Sequence, residues 1–176
     1  MFHQDIISIY TDGVARGNPG PGGWAAIAVC GNTSVSAKGG KSLHTTNNKM
    51  ELQGAIEGLK VSLECLKGYK KIHVHSDSKY VLQGITEWIH NWKKNNWRTA
   101  AKKEVLNQEL WKELDAVVEQ VSKTGAVIMW TYVKGHSENK FNARADVVAT
   151  TCADDKTLGE GVVKDFYIGD FDGWKL

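Results

Sequence analysis

Residues 47–77 read NNKMELQGAIEGLKVSLECLKGYKKIHVHSD, and a change of hydrophobic period inside this stretch decides the fold class. Leu52, Ile56, Leu59, Leu63 and Leu66 recur at 3.6-residue spacing, Asn47 or Asn48 can cap the helix they imply, and Gly68 is placed to end it. Ile72, Val74 and Ser76 then follow a strand's period of two up to Asp77. A helix delivering the chain into a strand of an existing sheet makes a right-handed crossover, so the segments before it must supply that sheet.

They do. QDIISIYTD at 4–12 alternates Ile7 and Ile9 with more polar residues and predicts a strand ending at Asp12. Asn18–Gly23, NPGPGG, excludes helix and strand interior and predicts a tight loop. A second strand follows around Trp24–Cys30, then a turn at Gly31-Asn32 and a third strand near Ser34–Gly39. The crossover then sets Asp77 beside Asp12 at one sheet edge, where strand carboxyl ends of α/β folds carry their chemistry.

Downstream, helical segments fit 78–94, broken near Gly84, restarted at Thr86-Glu87 and ended by Asn95-Asn96. A longer helix from about Lys103 to Val121 buries Leu106, Leu110, Leu114, Val117 and Val121. The apolar run Ala126–Val133 reads as a central strand covered on both faces. After a polar loop, a last helix turns Ala145, Val148, Ala149 and Cys152 inward. Residues 1–155 form one catalytic domain in this reading. Residues 156–176 are a tail, for which a short strand or clamp at Val162–Ile168 and a solvated segment carrying Asp165, Asp170 and Asp172 both stay open.

The 176 residues suit one domain, and 41% hydrophobic residues suffice for its core. No stretch is apolar enough to span a bilayer and the start lacks a secretory signal, so the expectation is a cytoplasmic protein, with monomer as the default. Cys30, Cys65 and Cys152 are odd in number and lack CxxC spacing, which predicts reduced thiols. The net charge of +2 conceals a polarity: Lys93, Lys94, Arg98, Lys102 and Lys103 fall between Trp88 and Lys103 with no acid among them. The rest of the chain is net negative, so a polyanion site is confined to one place.

Five ordered segments closely resemble the bacterial type 1 ribonuclease H family. They are Thr11-Asp12-Gly13 leading into GNPGPGG at Gly17–Gly23; TTNNKMEL at Thr45–Leu52; Ser76-Asp77-Ser78-Lys79-Tyr80; WIHNWKKNNWRTA at Trp88–Ala100; and Val133-Lys134-Gly135-His136 with Asn142, Arg144 and Asp146 beyond. The ordered set is specific where TDG or SDS alone is not, and it covers about residues 5–155. The resemblance implies an α/β ribonuclease H-like fold with a five-stranded mixed sheet flanked by helices. It also implies Mg²⁺ or Mn²⁺ as cofactor and endonucleolytic cleavage of the RNA strand of RNA/DNA hybrids, leaving 5′-phosphate and 3′-hydroxyl ends. By the same resemblance Asp12, Glu51, Asp77 and Asp146 bind metal, His136 is a mobile-loop proton-transfer group, and Trp88–Lys103 is a substrate-gripping protrusion.

The chemistry suits those residue types. Phosphodiester hydrolysis builds charge on oxygens already negative, and bare carboxylates would oppose it. Two Mg²⁺ ions about 4 Å apart, with Mn²⁺ as a substitute, reverse that sign, and hard cations select oxygen ligands. A lone surface acid is ordinarily just solvated, and Glu51 alone would be a first-turn acid favoured by the helix dipole. The topology strengthens Asp12 and Asp77, and the resemblance carries all four.

In the protrusion, Lys93, Lys94, Arg98, Lys102 and Lys103 suit DNA-strand phosphates, while Trp88, Trp92 and Trp97 suit packing as well as sugar contact. Asn18, Asn48 and the glycine-rich backbone suit 2′-hydroxyls in the shallow minor groove, each Asn being equally a turn or cap residue; Lys79 faces the nucleic acid by resemblance. Ala143 and Lys79 depart from the family pattern, which usually has an acid and a Gln there. A reverse-transcriptase-type ribonuclease H domain and a hybrid-binding module that no longer cuts, or cuts weakly, are the competing readings; the second requires a missing carboxylate.

Overall fold

The computed structural model describes residues 5–31, 34–66, 68–135 and 139–166. Strands β1 (Ile6–Ala15), β2 (Gly20–Cys30) and β3 (Ser34–Thr45) form an antiparallel meander. Helix α1 (Asn47–Cys65) crosses over to β4 (Lys71–Ser76), which pairs parallel to β1 with Thr11 opposite Ser76. Helix α2 (Lys79–Gln83), a π-helical turn (Gly84–Trp88) and α3 (Ile89–Lys94) run on without a gap. Then come α4 (Gln108–Lys123), β5 (Val127–Tyr132), α5 (Lys140–Asp154) and β6 (Val163–Phe166).

The sheet order is β5-β4-β1-β2-β3-β6, so the sheet has six strands and the five-stranded expectation is corrected. The sixth lies beyond the stretch that carries the resemblance. β6 pairs antiparallel with β3, and Phe166 is buried with Ala37, Val148 and Cys152. Ahead of it Glu160 accepts from Ser42 Oγ at 2.8 Å and from the Leu43 N–H; β6 covers 163–166 only, and the tail beyond it, with Asp170 and Asp172, lies outside the described residues.

β5 is also corrected. It is an edge strand rather than a central one: Ile128 and Trp130 pack on the core, but Val127 and Met129 are 60% and 46% exposed. An apolar run by itself does not distinguish a strand covered on two faces from one covered on one.

Several boundaries shift. β1 runs past Asp12 to Ala15, and β2 begins at Gly20, inside the 18–23 stretch read as a loop, with Gly22 and Gly23 paired to Ala15 and Val14. The cap of α1 is Thr46, whose Oγ1 accepts from the Lys49 N–H at 3.4 Å, instead of Asn47 or Asn48. α4 begins at Gln108, leaving Leu106 73% exposed. At Gly84 the helix does not break but takes an extra residue: the Ile89 N–H bonds to the Gly84 carbonyl. The cause is Trp111 of α4, fully buried and so close that a Cβ on Gly84 would lie 1.9 Å from its ring.

One core, with Ile7, Ile9, Leu52, Ile56, Leu59 and Val74, fills the space under α1 and α4; a second, with Ile27, Ala145 and Val148, lies under α5. Cys30, Cys65 and Cys152 are free thiols. Among the described residues no helix is long and apolar enough to cross a membrane.

Candidate active site

Strand β1, the end of β4 and two helices converge on one end of the sheet. Asp12 stands on β1, and Asp77 directly follows Ser76, the last residue of the neighbouring parallel strand β4. Glu51 reaches them because α1 lies against β1 at Gly13, where a Cβ would come within 2.3 Å of the Glu51 backbone nitrogen. Only glycine permits that approach. Oxygens of Asp12, Glu51 and Asp77 all lie within 4.8 Å of one another, the one such group of potential metal ligands among the described residues. Asp146, on α5 beyond its N-cap Asn139, is near enough to Asp12 for its charge to raise that carboxyl. Gly135 closes the side of Asp77: a Cβ there would be 2.6 Å from Oδ2.

These acids are under mutual electrostatic pressure. Burial, then the charge of Asp77, push the Asp12 carboxyl up to about 7, with Asp146 adding to the rise, although the Gly13 N–H donates to Asp12 Oδ1 at 2.8 Å. Glu51 is held well above the ordinary carboxylate range by burial first and then by Asp12 and Asp77. Its Oε2 is buried and has no hydrogen-bond partner. An unpaired buried carboxylate oxygen is costly, and a divalent cation in the cluster would supply the missing countercharge. The donors are all hard oxygens, which fits Mg²⁺ or Mn²⁺.

Around this centre, Asn18 is exposed and its Oδ1 accepts from the Asn47 N–H at 3.3 Å, tying the β1–β2 loop to the start of α1. Asn48 is exposed in the first turn of α1, and Lys79 is exposed at the first position of α2. His136 lies outside the described residues.

The protrusion rests on an aromatic stack. Trp88 meets Tyr80 edge-on with centroids 6.1 Å apart, Trp92 meets Trp111 at 5.3 Å, and Trp97 packs on the main core. Tyr80, which the sequence does not single out, is the hub: its hydroxyl accepts from Asn107 Nδ2 and Trp111 Nε1, each at 3.1 Å. Its sequence signal is its place as the last residue of the Ser76–Tyr80 segment, which assigns it no role.

Asn96, Trp97, Lys102 and Asn107 all have left-handed backbone, with φ between 51° and 60°, a conformation disfavoured for Trp and Lys. Arg98 Nη1 donating to the Lys102 carbonyl at 2.9 Å helps hold that loop. Lys93 is already engaged, 2.7 Å from Asp115 and 3.2 Å from Glu119. Lys94, Lys102 and Lys103 are exposed. Trp88, Trp92, Asn95 and Arg98 border a cavity of about 240 Å³.

The comparisons with known proteins agree with this geometry. The family model described as RNase H matches residues 4–154. A ribonuclease H of Thermosynechococcus vestitus is 49% identical over 144 residues, covering 82% of this chain and 86% of the relative. One of Hydrogenovibrio crunogenus is 48% identical over 151 residues, covering 86% and 97%. Among solved structures, LC9-RNase H1, described as a type 1 RNase H with the type 2 active-site motif, is similar with a TM-score of 0.73 at 25% identity, covering 97% of this chain and 82% of that one. LC11-RNase H1, solved in complex with an RNA/DNA hybrid, shares the fold with a TM-score of 0.60 at 23% identity, covering 84% and 96%.

Proposed function

The chain belongs to the ribonuclease H family, and on that premise we propose that Asp12, Glu51, Asp77 and Asp146 together hold two Mg²⁺ ions, with Mn²⁺ as a substitute, against the RNA strand of a bound hybrid. The activity is metal-dependent hydrolysis of RNA in RNA/DNA hybrids at the carboxylate cluster. The observation that carries the reading is the grouping of three carboxylate oxygens within 4.8 Å, one of the three side chains having a buried oxygen without a partner. When bound, the ions supply an activated water and offset charge on the leaving oxygen, giving 5′-phosphate and 3′-hydroxyl ends.

The chain's own groups do the rest. The Gly13 N–H holds Asp12 Oδ1 in place, and α1 packed on Gly13 fixes Glu51. Asn18 and Asn48, at the loop-to-helix junction, read 2′-hydroxyls of the RNA strand. Lys94, Arg98, Lys102 and Lys103 take phosphates of the DNA strand, with Trp88 and Trp97 offering ring faces to its sugars. Lys93 contributes to the same field while anchored on α4. His136 shuttles a proton, and His136→Ala lowers turnover roughly 10-fold to 100-fold in this reading. Turnover unaffected at every pH would remove it. Residues 1–155 are the catalytic unit, acting as a cytoplasmic monomer.

The deciding experiment gives the purified protein labelled RNA/DNA, RNA/RNA and DNA/DNA duplexes with Mg²⁺, Mn²⁺ or chelator, beside Asp77→Asn. Cutting confined to hybrid RNA, dependent on metal and lost in the variant, supports the reading; equal cutting by the variant sinks it. A hybrid-binding module without catalysis requires a missing carboxylate, and all four are present.

A further inference from the structure

Tyr132 ends β5 with its side chain 49% exposed, and no motif discussed above includes it. It pairs across the parallel ladder with Ser76, the residue before Asp77, and the Val133 N–H donates to the Ser76 carbonyl at 3.0 Å. The Tyr132 backbone is therefore one strand spacing, about 4.8 Å, from the strand that delivers Asp77. Lys79, two residues after Asp77, holds its ammonium 5.6 Å from the centroid of that ring, within cation–π range. Among the described residues Lys79 has no acidic partner within ion-pair distance, in contrast to Lys93. A half-exposed ring and a cation thus stand together beside the end of β4, from which Asp77 enters the carboxylate cluster.

We infer that Tyr132 and Lys79 form a lip that binds the RNA nucleotide next to the scissile phosphate, the Tyr132 ring taking the ribose face and the Lys79 ammonium the adjoining phosphate. The ring is the specificity element, because a flat apolar face selects a sugar or base where a bare ammonium selects any anion. The phenol hydroxyl is dispensable to that role. Lys79 is kept over the strand end by the ring, so the two act together.

The inference rests on the nuclease reading, and its test separates the two. Tyr132→Ser and Tyr132→Phe are compared with the parent enzyme for steady-state cleavage of an RNA/DNA hybrid with Mg²⁺, for binding of the same hybrid in chelator by fluorescence anisotropy, and for Tm. Tyr132→Ser is expected to weaken hybrid binding and raise KM about 5-fold to 10-fold, the size of one base or sugar stacking contact, with kcat within twofold. Tyr132→Phe stays within twofold of the parent in all respects. Because the side chain is half exposed, Tm moves little in either variant. Tyr132→Ser with KM and hybrid affinity within twofold of the parent overturns the lip, as does a loss confined to kcat. A parent enzyme that leaves the hybrid uncut defeats the nuclease reading instead, while the anisotropy comparison still reports on the lip.

Discussion

Asp12 and Glu51 are 9% and 5% exposed with carboxyl pKa values pushed upward, whereas Lys94, Lys102 and Lys103 stand in solvent on a stacked aromatic base. Both regions gather like charges, and the fold treats them oppositely. Water screens the lysines, so their repulsion costs little and their summed field still reaches a polyanion. The acids lack that screening, and without cations they oppose folding. In the proposed reading the acidic cluster is a tense site that a cation relaxes, and the basic segment a stable surface for gripping the hybrid.

The sharpest way to break this contrast is Asp77→Asn. Loss of a ligand from the cluster should lower kcat by about 1000-fold or more, measured on a labelled hybrid, with hybrid affinity nearly unchanged. Next, neutralising Lys94, Arg98, Lys102 and Lys103 together to Gln should weaken hybrid binding roughly 10-fold to 100-fold and flatten its salt dependence by up to about 0.9 per lost phosphate contact, with kcat at saturation retained. An unchanged salt slope would put the gripping surface elsewhere.

A third test reads the tension itself. Asp12 holds its proton up to about pH 7 in the folded protein, whereas in the unfolded chain it releases it near the ordinary carboxyl value of 3.8. For Asp12 the folded state therefore binds more protons between those values, so its contribution makes metal-free stability fall as pH rises through about 4 to 7. Glu51, shifted the same way, adds to the slope. Asp12→Asn should flatten the Tm–pH curve in chelator and raise Tm at pH 8. Mg²⁺ at about 100 times its Kd should raise the parent's Tm by roughly 5 to 10 °C. A metal-free Tm that climbs with pH over that window would contradict the picture. The smallest effect is expected for Lys93→Met: its partly exposed pairs with Asp115 and Glu119 are worth about 0 to 1 kcal/mol, so Tm drops by a degree or two and KM changes less than twofold.

The meander, the crossover and the meeting of Asp12 with Asp77 were legible because two hydrophobic periods and one handedness rule determine them. Glu51 and Asp146 needed the resemblance, since their approach depends on Gly13 packing and on the axial position of α5, neither visible in a periodicity. Where reading failed, long-range contact decided: β6 takes an edge of β3 that no local pattern announces, and β5 loses one covering layer while keeping its apolar sequence. Leu106 kept the helical spacing but fell outside α4, because the strained loop through Lys102 and Asn107 uses those residues first. Lys93 and Lys94 are adjacent and chemically alike, and only the position of α4 makes the first of them a strut.

The π-helical turn at Gly84–Trp88 adds a consequence for the evolution of this surface. Each residue advances a helix by about 100°, so excising one residue there would restore ordinary α-helical bonding yet swing Trp92, Lys93 and Lys94 a quarter-circle around the axis. The number of residues in that turn, held open by the indole of Trp111 against Gly84, thus sets the compass bearing of the whole basic arm, independently of which cations it bears.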